Sequence, residues 1–310
     1  MTGTRSTGAG RAAVFISAAL ILLSVLPVSA DAGTGSEGLP ERIVSLGPLN
    51  TENLFLLGAG ERLIADTVYC VRPKEAENKE KIGTLTGLNI EKIAALKPDL
   101  VLATALTPPA QLAKLKRLGI RVVRFPKPDS FHAVCAQFRE LGRLLGLGSR
   151  AYEIIDQVRR QAACIEEAVR HLPKRRVLLQ VGANPTFAAV PGSFTNDYIR
   201  LAGGINIAAD QATGLIGLEK ILARDPEVII IAVMGSEGGM AAEERQRWMR
   251  FKELSAVRAG RVYTVSPDLV CSPSPATFVE ALAAIAELIH PSKRREIRAC
   301  ISPAERAENP

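Results

Sequence analysis

The chain has 310 residues, of which 47% are hydrophobic and 23% are charged, and its formal net charge at pH 7 is +7. This length and composition suit one large domain or two ordinary ones. Basic residues are scattered apart from the run KRREIR near the end, and basic stripes with interleaved aromatics are missing, which argues against binding to nucleic acid.

The first thirty residues have the pattern of an export signal. Arg5 and Arg11 precede an apolar run from Ala12 to about Val28, and the small residues VSA then predict cleavage after Ala30. The apolar run is short for a membrane span, although an uncleaved anchor is the alternative. No cysteine lies at the cleavage site, so a lipoprotein is not expected. We therefore expect a soluble, exported protein, located in the periplasm.

Residues 41–145 alternate short apolar runs with segments of helical periodicity. The predicted strands are RIVSLG, LIADT, DLVLAT and RVVRFP, and the predicted helices are NTENLFLLGAG, NIEKIAALKP, PPAQLAKLKRLG and FHAVCAQFRELGRLLG. Alternation at this spacing is typical of a parallel sheet covered by helices. The segment predicts an N-terminal lobe.

Residues 146–173 contain no strand pattern. Apolar residues recur at helical spacing along this segment while its other faces are charged, which predicts one long helix that links two bodies. The alternating pattern then resumes over residues 174–291, which predict a C-terminal lobe, and residues 292–310 are expected to form a polar tail. The fold class is therefore α/β, with two Rossmann-like lobes, parallel-type sheets and a ligand cleft between the lobes.

A short repeat relates the two lobes. GLNIEKIAALKPDLVLA begins at residue 87, and GLEKILARDPEVIII begins at residue 217. In both, an acid follows the proline (Asp99 and Glu227), and an aliphatic strand follows the acid. One copy in each lobe indicates two similar lobes and not a solenoid, which needs at least three units.

The chain resembles the periplasmic substrate-binding proteins of ABC importers for metal chelates, which carry vitamin B12, ferric siderophores and haem. The stretches that carry the resemblance are RIVSLGPLNTENLFLLGAGERLIADT, IGTLTGLNIEKIAALKPDLVLA, AVRAGRVYTV and SPSPATFVEALAAIAELI. In GTLTGLNIEKI and LQVGANPTF it is similar to the vitamin B12-binding members. The resemblance implies a metal-bearing ligand (a cobalt corrinoid or an iron chelate), small closure of the lobes, and a permease–ATPase partner in the inner membrane.

Glu91 and Glu219 match the two docking glutamates of that family, one on each lobe. The resemblance implies that each meets an arginine pocket of the permease, where exposed charges fix register more than they add affinity. The alternative is that each glutamate only favours the start of its helix, a contribution of about 0.3–1 kcal/mol.

The loops expected at the cleft contain five candidate ligand contacts. Tyr69 and Phe187 are the aromatic candidates, with lobe cores as the alternative position, and Asn184 lies in the same loop as Phe187. Arg72 suits an anionic chelate, or is a solvated surface arginine. Leu85 stands where the vitamin B12 binders carry a tryptophan, so a large flat contact with a corrin is missing there. Tyr69 could also serve as a ligand to haem iron.

Cys70 and Cys271 each follow a strand, one in each lobe, so the fold places both at the cleft mouth. Three interpretations stay open: a disulfide between the lobes, ligation of a soft metal or of a chelated metal, or two unrelated small residues. Cys135 and Cys164 are expected to pack on helices, and Cys300 lies in the polar tail.

Features of an enzyme are missing from the sequence. GxSxG and P-loop motifs are absent, GTGSEG at residues 33–38 matches GxGxxG only by spacing because no predicted strand precedes it, and no histidine is spaced with a carboxylate for acid–base work. The three histidines are expected at helix ends or on the surface. We therefore expect a binding protein with no cofactor of its own; a sensor or scavenger of the same fold that never docks on a permease is the alternative role.

Overall fold

The first half of the chain forms a five-stranded sheet, in a computed structural model that describes residues 38–233 and 239–302. All neighbouring strands run parallel, in the order β3-β2-β1-β4-β5. The strands are β1 (Ile43–Ser45), β2 (Leu63–Asp66), β3 (Glu80–Lys81), β4 (Leu100–Ala103) and β5 (Val122–Arg124). Strands β1 and β4 are buried throughout, as expected for a parallel sheet covered on both faces.

The second half forms a second five-stranded sheet. Strands β10, β9, β6 and β7 follow one another across it, and β8 also pairs with β6. All pairs are parallel except β6 with β7, which are antiparallel. The strands are β6 (Arg176–Gly182), β7 (Phe187–Ala188), β8 (Ile205–Asn206), β9 (Val228–Ile231) and β10 (Val262–Thr264). The expected pair of α/β lobes is confirmed.

Helices cover both sheets. Those of the first half and the link are α1 (Pro48–Leu56), α2 (Ile90–Ala95), α3 (Pro109–Arg117), α4 (Phe131–Leu144) and α5 (Gly148–Val169). Those of the second half are α6 (Phe194–Leu201), α7 (Leu218–Arg224), α8 (Gly239–Trp248), α9 (Ser255–Arg258), α10 (Pro267–Cys271), α11 (Pro275–Ile289) and α12 (Arg294–Ile301). Proline begins α1, α3, α10 and α11, where its missing N–H costs nothing. Helix α5 is the expected long helix.

The two copies of the sequence repeat make equivalent contacts in their lobes. The carboxylate of Asp99 accepts hydrogen bonds from the two backbone amides that precede β1 (2.8 and 3.0 Å), and that of Glu227 accepts from the first amide of β6 (3.0 Å). Arg42 donates to carbonyls at the end of α2, and Arg176 donates to carbonyls at the end of α7. Each acid–arginine pair therefore ties a short helix to the start of the central strand of its lobe.

Aromatic rings join the two halves at α11. Phe278 of α11 stacks on Phe131 of α4 (centroids 4.3 Å apart) and on Tyr198 of α6 (4.4 Å apart). All three helices contribute to one buried hydrophobic cluster that also includes residues of β1, β4, α5, β6 and β9. The two sheets thus share one core around α5 and α11, and each sheet has a smaller cluster of its own on its other face.

A disulfide joins α5 to α12. Cys164 is bonded to Cys300, with Cα atoms 5.7 Å apart and a sequence separation of 136. The expectation that Cys164 packs inside the protein is wrong, since it lies on an exposed face of α5. Residues 294–301 of the expected tail form α12, which buries Ile297 completely. The limits of the lobes along the chain stay a prediction, and residues 1–37 and 303–310, with the expected signal peptide, lie outside the described residues.

Helices of membrane-spanning length and hydropathy do not occur in the described ranges 38–233 and 239–302.

Candidate ligand-binding cleft

A cavity of about 560 Å³ lies where the first sheet meets α10. Its floor comes from loops that follow β1, β2, β4 and β5, so the carboxyl ends of four strands converge there, as in other open α/β sheets. Its opposite wall is the end of α10 and the start of α6. The lining residues are Pro48, Leu49, Asn50, Val68, Tyr69, Val71, Arg72, Leu85, Thr104, Ala105, Leu106, Phe125, Pro126, Lys127, Pro128, Gln137, Phe194, Asp268, Cys271, Ser272 and Pro273.

Large apolar side chains stand exposed along this cavity. Leu106 is 65% exposed, Tyr69 51%, Val68 47% and Val71 46%. Several exposed hydrophobic side chains around one cavity are typical of a surface that a ligand covers. Leu85 lines the cavity as well, near the methyl-bearing side chain of Thr104. The floor of the cleft is therefore apolar, with a leucine and not a flat indole ring at position 85.

Arg72 reaches the cavity but already has a protein partner. Its guanidinium lies 2.8 Å from the carboxylate of Glu52 and donates to the carbonyl of Ser272 (3.3 Å). The other oxygen of Glu52 accepts a hydrogen bond from the hydroxyl of Thr277 on α11 (2.9 Å). Arg72 is thus part of a polar bridge from the first half of the chain to the second, and the alternative of a solvated surface arginine is wrong.

Lys127 is the second cation at the cavity, and sequence analysis missed it. Its side chain is exposed, and within the described ranges it has no ion pair. The segment FPKPDS after β5 is the signal that could have identified it, because cleft residues follow the carboxyl ends of strands. Asp268 on α10 is the nearby acid, so the cavity holds groups of both signs.

Cys271 and Cys70 occupy different environments. Cys271 lines the cavity, and its thiol donates to the carbonyl of Ala232 (3.4 Å). Burial raises the pKa of this thiol to about 11, with Asp268 adding to the effect and Lys127 opposing it. Cys70 is completely buried, its sulfur lies 3.3 Å from the hydroxyl of Thr67, and burial raises its pKa.

Two expectations about these cysteines are therefore corrected. Cys70 does not lie at the cleft mouth, because the chain turns inward after β2 and places its side chain in the core while Tyr69 points outward. Both Cys70 and Cys271 are free thiols, so the disulfide between the lobes is wrong. Groups of three or more potential metal ligands of the His, Cys, Asp or Glu type are absent from the described part of the chain.

Asn184 and Phe187 lie away from this cavity. Asn184 lies in the turn between β6 and β7. Phe187 is the first residue of β7, where it is 41% exposed and pairs across a short bridge with Leu215, which is 49% exposed. Neither residue is among those that line the cavity in this structure. Their role as ligand contacts stays a prediction.

Glu91 and Glu219 occupy equivalent places on the two halves. Each is the second residue of its helix, α2 or α7, and each side chain is exposed. The neighbouring lysines have partners of their own, Lys92 with Glu80 and Lys220 with Asp210. Neither Glu91 nor Glu219 has a hydrogen bond or ion pair with another described residue. Both carboxylates are free to meet a partner protein.

The histidines have no metal-site geometry. His132 and His171 are exposed. His290 is buried at the end of α11, and this burial, followed by the charge of Arg175, lowers its pKa. These positions agree with the expected helix ends and surface.

Comparisons with known proteins point to one family. A family model described as periplasmic binding protein matches residues 43–269. An uncharacterized ABC transporter substrate-binding lipoprotein, YvrC, from Bacillus subtilis (strain 168) is 30% identical over 285 residues, which cover 88% of this chain and 88% of that protein. A vitamin B12-binding protein from Yersinia pseudotuberculosis serotype O:3 (strain YPIII) is 29% identical over 218 residues, which cover 69% of this chain and 75% of that protein.

A solved structure has the same architecture. The periplasmic heme-binding protein from Pseudomonas aeruginosa superimposes with a TM-score of 0.71 and 27% sequence identity, and the match covers 82% of this chain and 94% of that one.

Proposed function

The chain belongs to the periplasmic binding protein family, as its sequence predicts, and from this premise we propose that it is the solute-binding component of an ABC importer for a metal chelate. In this proposal the chelate binds in the cleft between the lobes, the lobes close by a small amount, and the loaded protein delivers the chelate to a membrane permease. ATP is hydrolysed by the transporter and not by this chain.

The observation that carries the proposal is the apolar cavity at the carboxyl ends of the strands. Exposed Tyr69, Leu106 and Val71 offer a hydrophobic surface, and pockets of about 300–1,000 Å³ with a few polar groups are typical of small-molecule sites. Chelates such as corrinoids and porphyrins are broad and largely apolar, with anionic or amide groups at their rims. Lys127 and Asp268 are among the polar groups that line this cavity and could meet such rims.

The cobalt corrinoids and the iron chelates are the ligand classes that we consider. A vitamin B12-binding protein among the relatives supports the corrinoid, while Leu85 in place of a tryptophan weakens it. The heme-binding structure supports haem as the alternative, for which the exposed hydroxyl of Tyr69 is the available oxygen ligand. A soft-metal site built from both cysteines is not proposed, since Cys70 is enclosed in the core.

The disulfide is consistent with an exported protein. The bond between Cys164 and Cys300 suits an oxidising environment, where disulfides persist. We therefore place the mature chain in the periplasm, after removal of a signal peptide near Ala30.

The proposal can be tested by titrating residues 31–310 with cyanocobalamin and with hemin. Calorimetry and absorbance measure the binding. We expect one-to-one binding with a sub-micromolar Kd for one of the two. Metal-free protoporphyrin is the matched control for hemin: weaker binding of the metal-free ring indicates ligation of iron, and equal binding indicates apolar contact alone. Failure of cyanocobalamin, hemin and ferric siderophores to bind would contradict the proposed function.

The alternative of a sensor or scavenger differs in one measurable property. A transport component must stimulate ATP hydrolysis by its permease–ATPase complex, whereas a protein that never docks leaves that rate unchanged even when it binds the chelate tightly.

A further inference from the structure

One lysine holds the loop that carries most of the exposed cavity side chains. This segment, residues 67–79 between β2 and β3, is called the cavity loop here, and it carries Tyr69 and Arg72. The ammonium group of Lys81 lies 2.7 Å from an oxygen of Asp66 and donates to the carbonyls of Ala76 (2.9 Å) and Cys70 (3.3 Å). Its three hydrogen bonds thus join the strand before the loop to two points within the loop.

The sheet places this lysine at the base of the loop. Asp66 is the last residue of β2 and Lys81 the last of β3, and the two are paired in the parallel register. Asp66 is completely buried, so its carboxylate depends on the lysine for compensation. The side chain of Lys81 is 30% exposed, and its ammonium group reaches inward to the carboxylate and the two carbonyls. All three donors of the ammonium group have an acceptor.

The cavity loop has other restraints between its ends, but they act at separate points. Arg72 is paired with Glu52 and bonded to Ser272, the side chains of Cys70 and Ala76 are buried, and the amides of Ala76 and Lys79 bond within the loop (2.8 and 3.1 Å). Backbone hydrogen bonds hold the amide of Val68 to Gly83 (3.0 Å) and the amide of Cys70 to Thr67 (3.0 Å). Beyond them the side chains of Tyr69 and Val71 stand about half exposed, so packing contributes little on the cavity side. The two carbonyls bound by Lys81 flank the part of the loop that contains Arg72.

We propose that Lys81, held by Asp66, is a positioning residue for the ligand: it fixes the cavity loop and thereby the places of Tyr69 and Arg72 in the cleft. The link to ligand binding rests on the proposed function, whereas the ordering of the loop does not. Substitution of Lys81 is therefore expected to change binding without removing any atom that contacts the ligand.

The test compares Lys81→Met with Lys74→Met. Lys74 is an exposed lysine of the same loop, without an ion pair among the described residues, so the control makes the same change of charge and size. We expect hydrogen exchange of peptides covering residues 67–79 to quicken by about tenfold in Lys81→Met, with exchange of β4 unchanged. The affinity for whichever of hemin and cyanocobalamin the wild type binds should fall by about tenfold. Lys74→Met should match the wild type in both, and Lys81→Arg should recover part of the loss.

The outcomes separate this inference from the proposed function. Unchanged exchange of the loop in Lys81→Met overturns the positioning role, and faster exchange with unchanged ligand affinity overturns its link to binding. A wild type that binds neither hemin nor cyanocobalamin contradicts the assigned ligands, and the exchange result alone then decides for or against Lys81 as the residue that orders the loop.

If Lys81→Met does not fold, the wild-type protein provides a second measurement. Protonation of Asp66 removes the charge partner of Lys81, and burial raises the pKa of Asp66 to about 6 against the opposing charges of Lys81 and Lys79. Cys70 also lies near Asp66, and because burial raises the pKa of its thiol above the usual value, it stays a thiol in this pH range. An opening that withdraws Lys81 but leaves Asp66 buried raises the Asp66 pKa further, so protonation favours the open loop, whereas complete unfolding exposes Asp66 and is opposed by the same protonation. Exchange of the loop, corrected for the intrinsic effect of pH, should therefore quicken one unit below the Asp66 pKa relative to one unit above it. Equal corrected rates would overturn the proposal.

Discussion

At the scale of single residues, Arg72 shows how a partner changes the role of a charge in a binding cleft. Its ion pair with Glu52 and its bond to Ser272 leave it largely neutralised, so an anionic ligand must compete with the protein for it. Lys127 meets no such competition. Sequence patterns identify arginines near strand ends, but they do not reveal which of them are already paired.

Arg72→Met should lower the stability of the protein more than the same substitution of an exposed arginine. The change leaves the carboxylate of Glu52, which is only 11% exposed, without its cation, and we expect the free energy of unfolding to fall by about 1–3 kcal/mol. Arg143→Met is the matched control, because its pair with Glu140 is exposed and screened by solvent, so that its loss should cost less stability. Urea denaturation of both variants measures the difference, and equal losses would contradict a special role for the bridge.

Tyr69→Ala should weaken ligand binding without lowering stability. The ring is half exposed in the free protein and is available for burial against a ligand, so the affinity for the bound chelate should fall by about tenfold to a hundredfold. The melting temperature should change little. Tyr152→Ala on α5, 69% exposed, is the control and should leave the affinity unchanged. Equal affinity of the Tyr69 variant and the wild type would exclude this ring from the site.

The raised pKa of Asp66 determines how the free energy of unfolding should change with pH. The pKa is about 6 in the folded protein and 3.8 in the unfolded chain, so the folded state binds the proton more tightly. The contribution of Asp66 to the free energy of unfolding should therefore grow as the pH falls from above 6 towards 3.8. Denaturation of the wild type and Asp66→Asn across this window measures it. The free energy of unfolding of the wild type minus that of the variant should rise on acidification, and a fall would contradict the assignment.

At the scale of elements, the long helix α5 connects the two halves both by chain and by packing. It contributes Ile154, Val158 and Ile165 to the shared core, and its exposed face carries Cys164. Helix α12 packs against it through Ile297 and through the disulfide. The last described helix is thereby part of the joint between the lobes.

Loss of the disulfide should destabilise the protein. The bond closes a long loop, for which a typical stabilisation is about 2–4 kcal/mol. Cys300→Ser, or reduction of the wild type, should lower the free energy of unfolding by this amount. Reductant should have no further effect on Cys300→Ser, which serves as the control for the other thiols. Equal stability of the reduced and oxidised wild type would contradict the prediction.

Most elements could be predicted from the sequence because their patterns are local. The helix expected over residues 146–173 is observed as Gly148–Val169, and the repeat around residues 90 and 218 marks the same helix in both halves. Local patterns do not show partners distant in the chain. The bond from Cys164 to Cys300 and the inward side chain of Cys70 depend on how helices and loops meet in space, and both differed from expectation.

The candidate site was predictable only in outline. Loops after strands of the first half do line the cavity, including Tyr69, Arg72 and Leu85, and Cys271 lines it from α10 of the second half. Phe187 does not, because β7 turns back antiparallel to β6 and carries it to an exposed bridge with Leu215. A strand of two residues is too short to produce an alternating sequence pattern from which it could be predicted.

At the scale of the whole molecule, the two lobes carry equivalent surface features. Helices α2 and α7 start in the same way, each with an exposed glutamate at its second position, and each is tied to its lobe by an acid–arginine pair. The binding of a partner that contacts both glutamates at once would depend on the relative position of the two lobes.

Glu91→Gln combined with Glu219→Gln should abolish productive docking and leave ligand affinity intact. Neither carboxylate has a partner among the described residues, so their removal should cost the fold little. Stimulation of the transporter ATPase in liposomes should fall by about tenfold or more. Glu153→Gln, an exposed change on α5, is the control. Full stimulation by the double variant would contradict docking through these residues.

The shared core around α5 and α11 has a consequence for how the protein melts. Phe131, Phe278 and Tyr198 stack continuously from one half to the other, so neither half can lose its structure without exposing rings that the other half buries. Calorimetry should therefore record a single cooperative transition and not one for each sheet. For the same reason, a fragment cut within α5 would carry an open apolar face, and the two similar halves of this chain should not survive as separate domains.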